Sequence, residues 1–84
     1  MLRIAYALPD VSTPMVANAF DQLYPVYQIA EFNVHDAFGF HKEFYIQLYD
    51  RGQSLLDQID LNGHVKVYYT HNNIRRFWMV TRNE

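Results

Sequence analysis

Histidine, aspartate and serine are the residues of this sequence whose types could support catalysis or metal binding. His35, Asp36 and His41 have the ligand types of a zinc site, but their spacing crosses a loop and matches no established pattern. Ser12 and Ser54 stand at predicted helix starts without an adjacent histidine, so a nucleophilic triad is not indicated. The chain has no cysteine, which excludes thiolate catalysis, thiolate metal sites and disulfides. The sequence therefore predicts a non-enzymatic protein that uses no metal or other cofactor.

Charge is distributed unevenly along the chain, whose overall net charge is −2. Residues 1–64 hold three basic residues against eight acidic ones, a net charge of −5. Residues 65–84 hold four basic residues against one acidic residue, a net charge of +3. The basic segment is either a solvated last strand or an edge that faces phosphate, and both interpretations stay open at this point.

Size and composition predict one folded domain over residues 1–84. Half of the 84 residues are hydrophobic and 17% are aromatic, which excludes a disordered chain. No apolar run is long enough to span a bilayer. The apolar start reaches Pro9 and Asp10 too soon for a secretory signal. We expect a soluble, intracellular protein.

The stretch Glu43–Tyr49 reads as a central β-strand whose alternating side chains divide between two faces. The two sets are Phe44, Ile46 and Leu48 for the core, and Glu43, Tyr45 and Gln47 for the opposite face. Every candidate site below depends on this alternation.

The first half of the chain predicts a strand, a helix and a second strand. Leu2–Leu8 is the first strand, and Ser12 or Thr13 caps a helix that has Pro14 in its first turn. The buried stripe of that helix comprises Val16, Ala19, Phe20 and Leu23. In the second strand, Val26–Val34, Ile29 and Phe32 have opposite parity. Either a bulge intervenes or both faces are partly covered.

The second half predicts a short helix and two further strands. Asp50 caps the helix with Gln53 completing a capping box, and its apolar side comprises Leu55, Leu56 and Ile59. Val65–Tyr69 is a strand, Thr70–Asn73 a turn, and Ile74–Thr81 the last strand. The order predicts an α+β, ferredoxin-like βαββαβ sandwich: a four-stranded antiparallel sheet, two helices on one face, and an extra hairpin arm before the last strand.

Several segments in this order resemble those of an RNA recognition motif domain. Leu2–Tyr6 stands where that family has its six-residue motif, and His41–Leu48 where it has its eight-residue motif. Leu8–Ser12 resembles the proline-containing turn, and Leu61–Gly63 the turn after the second helix. The tail, His64–Tyr69 with Phe77–Val80, is similar to short proteins of this type encoded by large DNA viruses of eukaryotes. That likeness would place the protein in the host cell or the virion.

The resemblance implies weak single-stranded RNA binding through aromatic rings on the open sheet face. Arg3 and Glu43 occupy positions that are usually aromatic, whereas Tyr45 retains its ring. If Trp78 faces the helices, as its large apolar surface favours, Phe77 is a second stacking ring. With the opposite parity, Trp78 is exposed and Phe77 lies in the core. The predicted RNA-binding residues are Arg3, Lys42, Tyr45, Arg75 and Phe77.

An alternative function is a protein-interaction module, such as a viral structural or assembly component. On this view, Tyr45 and Phe77 cover the sheet or meet a protein partner. Phe38 and Phe40, in the loop before the central strand, either fold back over the sheet edge or form a binding tip. The sequence leaves the RNA sequence, the protein partner and the oligomeric state open.

Overall fold

The computed structural model of the protein describes residues 1–21, 24–49, 53–60 and 62–83. It has five strands and two helices in these segments. In chain order they are β1 (Leu2–Ala7), α1 (Thr13–Asp21), β2 (Val26–Asp36), β3 (Gly39–Leu48), α2 (Gln53–Gln58), β4 (His64–His71) and β5 (Ile74–Arg82). Leu23, Asp50 and Leu61 lie outside the described residues, as do the side chains of Gln53, Ser54 and Leu55.

The strands form one antiparallel sheet in the order β2-β3-β1-β5-β4. The prediction of four strands with a separate hairpin arm was wrong on this point. Strand β4 pairs with β5 along its whole length, from His64 opposite Thr81 to His71 opposite Ile74. The predicted arm is therefore a fifth strand at the edge of the sheet, and its side chains belong to the two sheet faces.

The predicted parity of the central strand is confirmed. Phe44, Ile46 and Leu48 are buried in one core, together with Val16, Ala19 and Phe20 of α1 and with Leu56 and Ile59 at α2. Trp78 and Val80 of β5 are buried in the same core, whereas Phe77 and Met79 are exposed. Both helices thus cover the same sheet face. The opposite side is called the open face below.

Strand β2 has side chains on both faces of the sheet. Ile29, paired with Ile46, packs against the core, whereas Phe32, paired with Glu43, is exposed on the open face. The register shift in this strand lies between Val26 and Gln28. Of the two alternatives for Ile29 and Phe32, partial cover on both faces is therefore confirmed.

Helix α1 begins at the predicted cap. Ser12 Oγ accepts a hydrogen bond from the backbone N–H of Met15 at 3.4 Å, and the Ser12 carbonyl accepts one from Val16 at 3.1 Å. The first of these bonds satisfies an amide that has no backbone partner in the first turn, and the second is the first i→i−4 bond of the helix. The helix then places Val16, Ala19 and Phe20 in the core.

The β2–β3 hairpin is tighter than the predicted loop over residues 36–41. Asp36 pairs with Gly39, and Asp36 Oδ1 accepts the N–H of Phe38 at 2.8 Å, as in an Asx turn. Gly39 has a φ of 116°, a conformation that a side chain disfavours. Phe38 is 100% exposed at the tip, so of the two alternatives for this side chain, folding back over the sheet edge does not occur. Phe40 instead stacks on His35 across the hairpin, with ring centroids 4.9 Å apart.

The β4–β5 hairpin turns at Asn72 and Asn73, which have φ values of 52° and 63°. Positive φ at both central residues is the requirement of a type I′ turn, and asparagine tolerates it. Because only two residues connect the strands, the turn fixes Tyr68 opposite Phe77 and Thr70 opposite Arg75. The register of the open face at this edge is set by those two asparagines.

Among the described helices, none is long and apolar enough to cross a membrane.

Candidate nucleic-acid interface

One group of side chains on the open face surrounds Tyr45 and comprises Arg3, Phe32, Glu43 and Tyr45 (the Tyr45 group). Glu43 Oε1 accepts hydrogen bonds from Arg3 Nη2 at 2.6 Å, Arg3 Nε at 3.1 Å and Tyr45 Oη at 3.3 Å. Phe32 meets the Tyr45 ring edge-on, with centroids 5.5 Å apart. Arg3 Cζ lies 5.8 Å from the Tyr45 centroid. The predicted residues Arg3 and Tyr45 are therefore neighbours on the open face.

Glu43 changes what this group can bind. Its hydrogen bonds to the guanidinium raise the pKa of Arg3, and its carboxylate neutralises the arginine charge. A phosphate near Arg3 would have to compete with a carboxylate already in contact. The Tyr45 group thus offers ring surface for stacking and little net attraction for phosphate.

A second group lies on the open face of β4 and β5 and comprises Lys66, Tyr68, Arg75 and Phe77 (the aromatic–cation cluster). Tyr68 and Phe77 are 49% and 47% exposed, and their ring centroids are 5.8 Å apart. Lys66 Nζ lies 4.6 Å from the Phe77 centroid, and Arg75 Cζ lies 4.6 Å from the Tyr68 centroid. Each cation is within cation–π range of a ring.

The cations of this cluster differ from Arg3 in their electrostatic surroundings. Within residues 1–21, 24–49, 53–60 and 62–83, no carboxylate forms an ion pair with Lys66 or Arg75. Both side chains are exposed, so a phosphate can approach them without displacing a carboxylate. The cluster combines two accessible rings with two such cations.

Not all of the predicted RNA-binding residues come together. Arg3 and Tyr45 lie in one group, and Arg75 and Phe77 in the other. Lys42 lies apart from both groups, because it has the parity of Phe44 and lies on the helix side. Its Nζ donates to the Val11 carbonyl at 2.7 Å and lies 3.8 Å from Glu31 Oε2.

The sequence prediction missed Lys66 and Tyr68 as site residues. Their alternation with buried Val67 already indicated that they point away from the core. The predicted hairpin arm left β4 apart from the four-stranded sheet and so gave these two residues no place on the open face. The short Asn72–Asn73 turn was the signal that pairs β4 with β5, and so Tyr68 with Phe77.

An ion pair on the helix side supports the aromatic residues of β4 and β5. Arg76 Nη1 and Nη2 donate to the two Asp10 carboxylate oxygens at 2.9 and 2.8 Å, and Arg76 Nε donates to Tyr69 Oη at 2.8 Å. His71 Nδ1 lies 3.2 Å from Asp10 Oδ2. Tyr69 in turn stacks on Trp78, with centroids 3.9 Å apart. This network ties the turn after β1 to the β4–β5 hairpin.

The histidine and aspartate of the β2–β3 hairpin show the contacts expected of structural residues. His41 Nδ1 lies 3.7 Å from Asp36 Oδ2, whereas His35 stacks on Phe40. Among the residues that the structure describes, no group of three or more potential ligands could hold a metal ion.

Comparison of the chain with known proteins finds no matching family model, no matching curated protein and no matching solved structure. The resemblance to RNA recognition motif domains therefore stays a prediction.

The Asp10–Arg76 pair predicts a loss of stability in acid. Hydrogen bonding to Arg76 holds the pKa of Asp10 below its ordinary value of 3.8. The pair's contribution to the free energy of unfolding is therefore complete above the unfolded-state pKa, and it is lost as pH falls through the folded-state pKa. Asp10→Asn should lower the free energy of unfolding near neutral pH, with the difference from wild type vanishing in acid well below pH 3.8. Urea denaturation across this pH range measures both values.

The matched control is Asp57→Asn, which removes the same charge from the exposed side of α2 rather than from this ion pair. An Asp10→Asn difference that persists unchanged in acid would contradict the assignment, because the carboxylate would then not be the group responsible.

Proposed function

We propose that the protein is a small, non-enzymatic module that binds single-stranded RNA weakly through the open face. The observation that carries this proposal is the aromatic–cation cluster: two half-exposed rings 5.8 Å apart, each with a cation 4.6 Å from its centroid. Proteins that bind single strands combine stacking rings with basic side chains that follow the backbone. The proposed site thus lies on β4 and β5. It includes the predicted residues Arg75 and Phe77, whereas Arg3 and Tyr45 lie in the neighbouring group.

The arrangement of the elements supports the ferredoxin-like, RNA recognition motif type of fold as part of the proposal. Residues 1–49 contribute a β-α-β-β succession, and α2 is followed by the remaining strands. Strand β1 lies between β3 and β5, with both helices on one face. The other face is then available for a ligand. Strand β4 extends that open face beyond the four strands of the βαββαβ plan.

Weak binding follows from the small number of contacts. Each base stacked on an aromatic side chain contributes about 1–3 kcal/mol, and two rings lie in the cluster. Two cations that have no carboxylate partner among the described residues imply a dependence of log affinity on log salt with a slope of about −1.4 for a single strand. Stacking and phosphate contacts do not read the 2′-hydroxyl. Single-stranded DNA of equivalent sequence should therefore bind within a few-fold of RNA.

Replacing either ring of the cluster tests the site. Tyr68→Ala and Phe77→Ala should each weaken binding of a short fluorescent RNA at low salt by about 1–3 kcal/mol, roughly 5- to 150-fold. Fluorescence anisotropy measures the affinity, and circular dichroism confirms that each variant folds. The control is Tyr27→Ala, which removes a 60% exposed ring from the opposite edge strand β2.

Absence of RNA binding by the wild-type protein at low salt would refute the proposal. So would equal losses for Tyr68→Ala, Phe77→Ala and Tyr27→Ala, because they would show no preference for the cluster.

Glu43→Gln should strengthen RNA binding. The substitution removes the carboxylate charge that compensates Arg3 while leaving an amide oxygen as acceptor. One further cation then becomes available to phosphate, so the salt slope should steepen by about 0.7 and the affinity at low salt should rise several-fold. Anisotropy titrations over a salt series measure both quantities.

Glu31→Gln is the matched control for net charge, since Glu31 contacts Thr13 and Lys42 on the helix side. Equal gains for the Glu31 and Glu43 variants would mean that overall charge, rather than the Arg3–Glu43 pair, determines affinity.

A second candidate function is protein interaction through the tip of the β2–β3 hairpin. Phe38 is 100% exposed there, and an ordered Asx turn presents it. A fully solvated ring gains by burial against another protein surface. A viral structural or assembly component would be a protein of this kind.

If the tip is an interface between copies of this chain, wild type should form a dimer whose population rises with protein concentration. Phe38→Ala should then abolish the dimer, and Phe40→Ala should weaken it. Analytical ultracentrifugation measures the association, with Tyr27→Ala as an exposed-ring control. A monomeric wild-type protein, or a dimer indifferent to Phe38→Ala, would rule out this self-association.

A further inference from the structure

A cleft opens beside the aromatic–cation cluster where β1 separates from β5. Strand β1 pairs with β5 only over Leu2–Ile4, and its register with β3 on the other side shifts between Ile4 and Ala7. Phe77 and Trp78 lie beyond the last of these pairs on β5 and keep partners only on β4. The space left between the strands has a volume of about 300 Å³.

The lining of the cleft is aromatic and cationic. Its walls include the rings of Tyr6, Tyr69, Phe77 and Trp78, together with Arg75 and Arg76. Arg76 is held by Asp10 through two hydrogen bonds, so its charge is compensated. Arg75 has no carboxylate partner among the described residues and can bind a ligand anion. The combination suits a flat aromatic group that carries a neighbouring negative charge.

The size and position of the cleft indicate one nucleotide. A volume of about 300 Å³ is at the lower limit of small-molecule sites, which suits a single base and not a pair. Phe77 belongs both to the open face and to the cleft wall, and Arg75 lies over the neighbouring Tyr68 ring. A strand stacked on the cluster therefore has its next base at the mouth of the cleft and a phosphate near Arg75.

We infer that the cleft between β1 and β5 receives one unstacked nucleobase of the RNA strand, with the adjoining phosphate on Arg75. This inference rests on the proposed function and adds a second kind of contact to it. The rings of the cluster stack bases on the sheet surface, whereas the cleft, which is open to solvent, takes up a base between the strands. Tyr6, which is 77% exposed, forms the outer wall.

Trp78 provides the readout, because it is the sole tryptophan of the chain and lines the cleft. Its indole Nε1–H is buried and has no hydrogen-bond partner in the described part of the chain. A base entering the cleft should quench its emission and shift its indole N–H resonance. A base stacked only on the outer surface of the cluster should leave both signals in place.

The experiment titrates the folded protein with a short single-stranded RNA. It follows labelled-RNA anisotropy, Trp78 emission and the indole N–H resonance together. We expect all three signals to report the same affinity. Tyr6→Ala should weaken binding by about five-fold or more and abolish the indole shift. Tyr6→Phe, which keeps the ring, should restore both, and Tyr27→Ala should change neither.

RNA binding that leaves the Trp78 signals unchanged and is indifferent to Tyr6→Ala would overturn the inference while leaving the proposed function standing. No RNA binding by any readout would overturn the proposed function itself. A tripeptide with tyrosine between two glutamates tests a protein ligand. An indole shift with this peptide, and none with RNA, would overturn the nucleotide assignment.

Discussion

The cover of one sheet face by two helices is the constraint on which the rest of the structure depends. Phe44, Ile46, Trp78 and Val80 are removed from water by that cover, and burial of each such side chain stabilises the fold by about 1.5–3 kcal/mol. Because side chains alternate along a strand, burial of one set requires the other to emerge on the open face. A slip of one residue in β5 would exchange Phe77 with Trp78 and expose the largest apolar group of the core. The same burial that holds the fold therefore presents Tyr45, Phe77 and Tyr68 to solvent.

The Tyr45 group and the aromatic–cation cluster both combine rings with cations, and they differ in whether a carboxylate pairs with the cation. The Tyr45 group has rings and an arginine, but Glu43 neutralises the arginine through two hydrogen bonds. Partly exposed pairs of this kind add only about 0–1 kcal/mol to stability, so the effect of Glu43 on ligand choice outweighs its effect on folding. The cluster on β4 and β5 lacks such a carboxylate within the described residues. It is therefore the part of the open face with the stronger attraction for phosphate.

Trp78, beside the cleft, gains from burial of its ring but loses from burial of its indole N–H. Its indole donor is buried without a partner in the described residues, a cost of about 1–3 kcal/mol. Burial of the large ring and its stacking on Tyr69 offset this cost. Asp10 and Arg76 then fix Tyr69 from the helix side. Strand β1 no longer pairs with β5 at this edge of the sheet. The stacked rings of Tyr69 and Trp78 and the Asp10–Arg76 ion pair therefore stabilise it.

The sequence by itself determined the local features of this protein. Alternation in Glu43–Tyr49 predicted which side chains are buried, and Ser12 with Pro14 located the start of α1, because both signals act over a few neighbouring residues. Tertiary structure alone decided that Lys42 donates to the Val11 carbonyl and that Phe38 is fully exposed at the hairpin tip. It also decided that Glu43 neutralises Arg3, residues 40 positions apart in the chain. Such contacts depend on the pairing of distant strands, whose register is set by the core as a whole and not by any one segment.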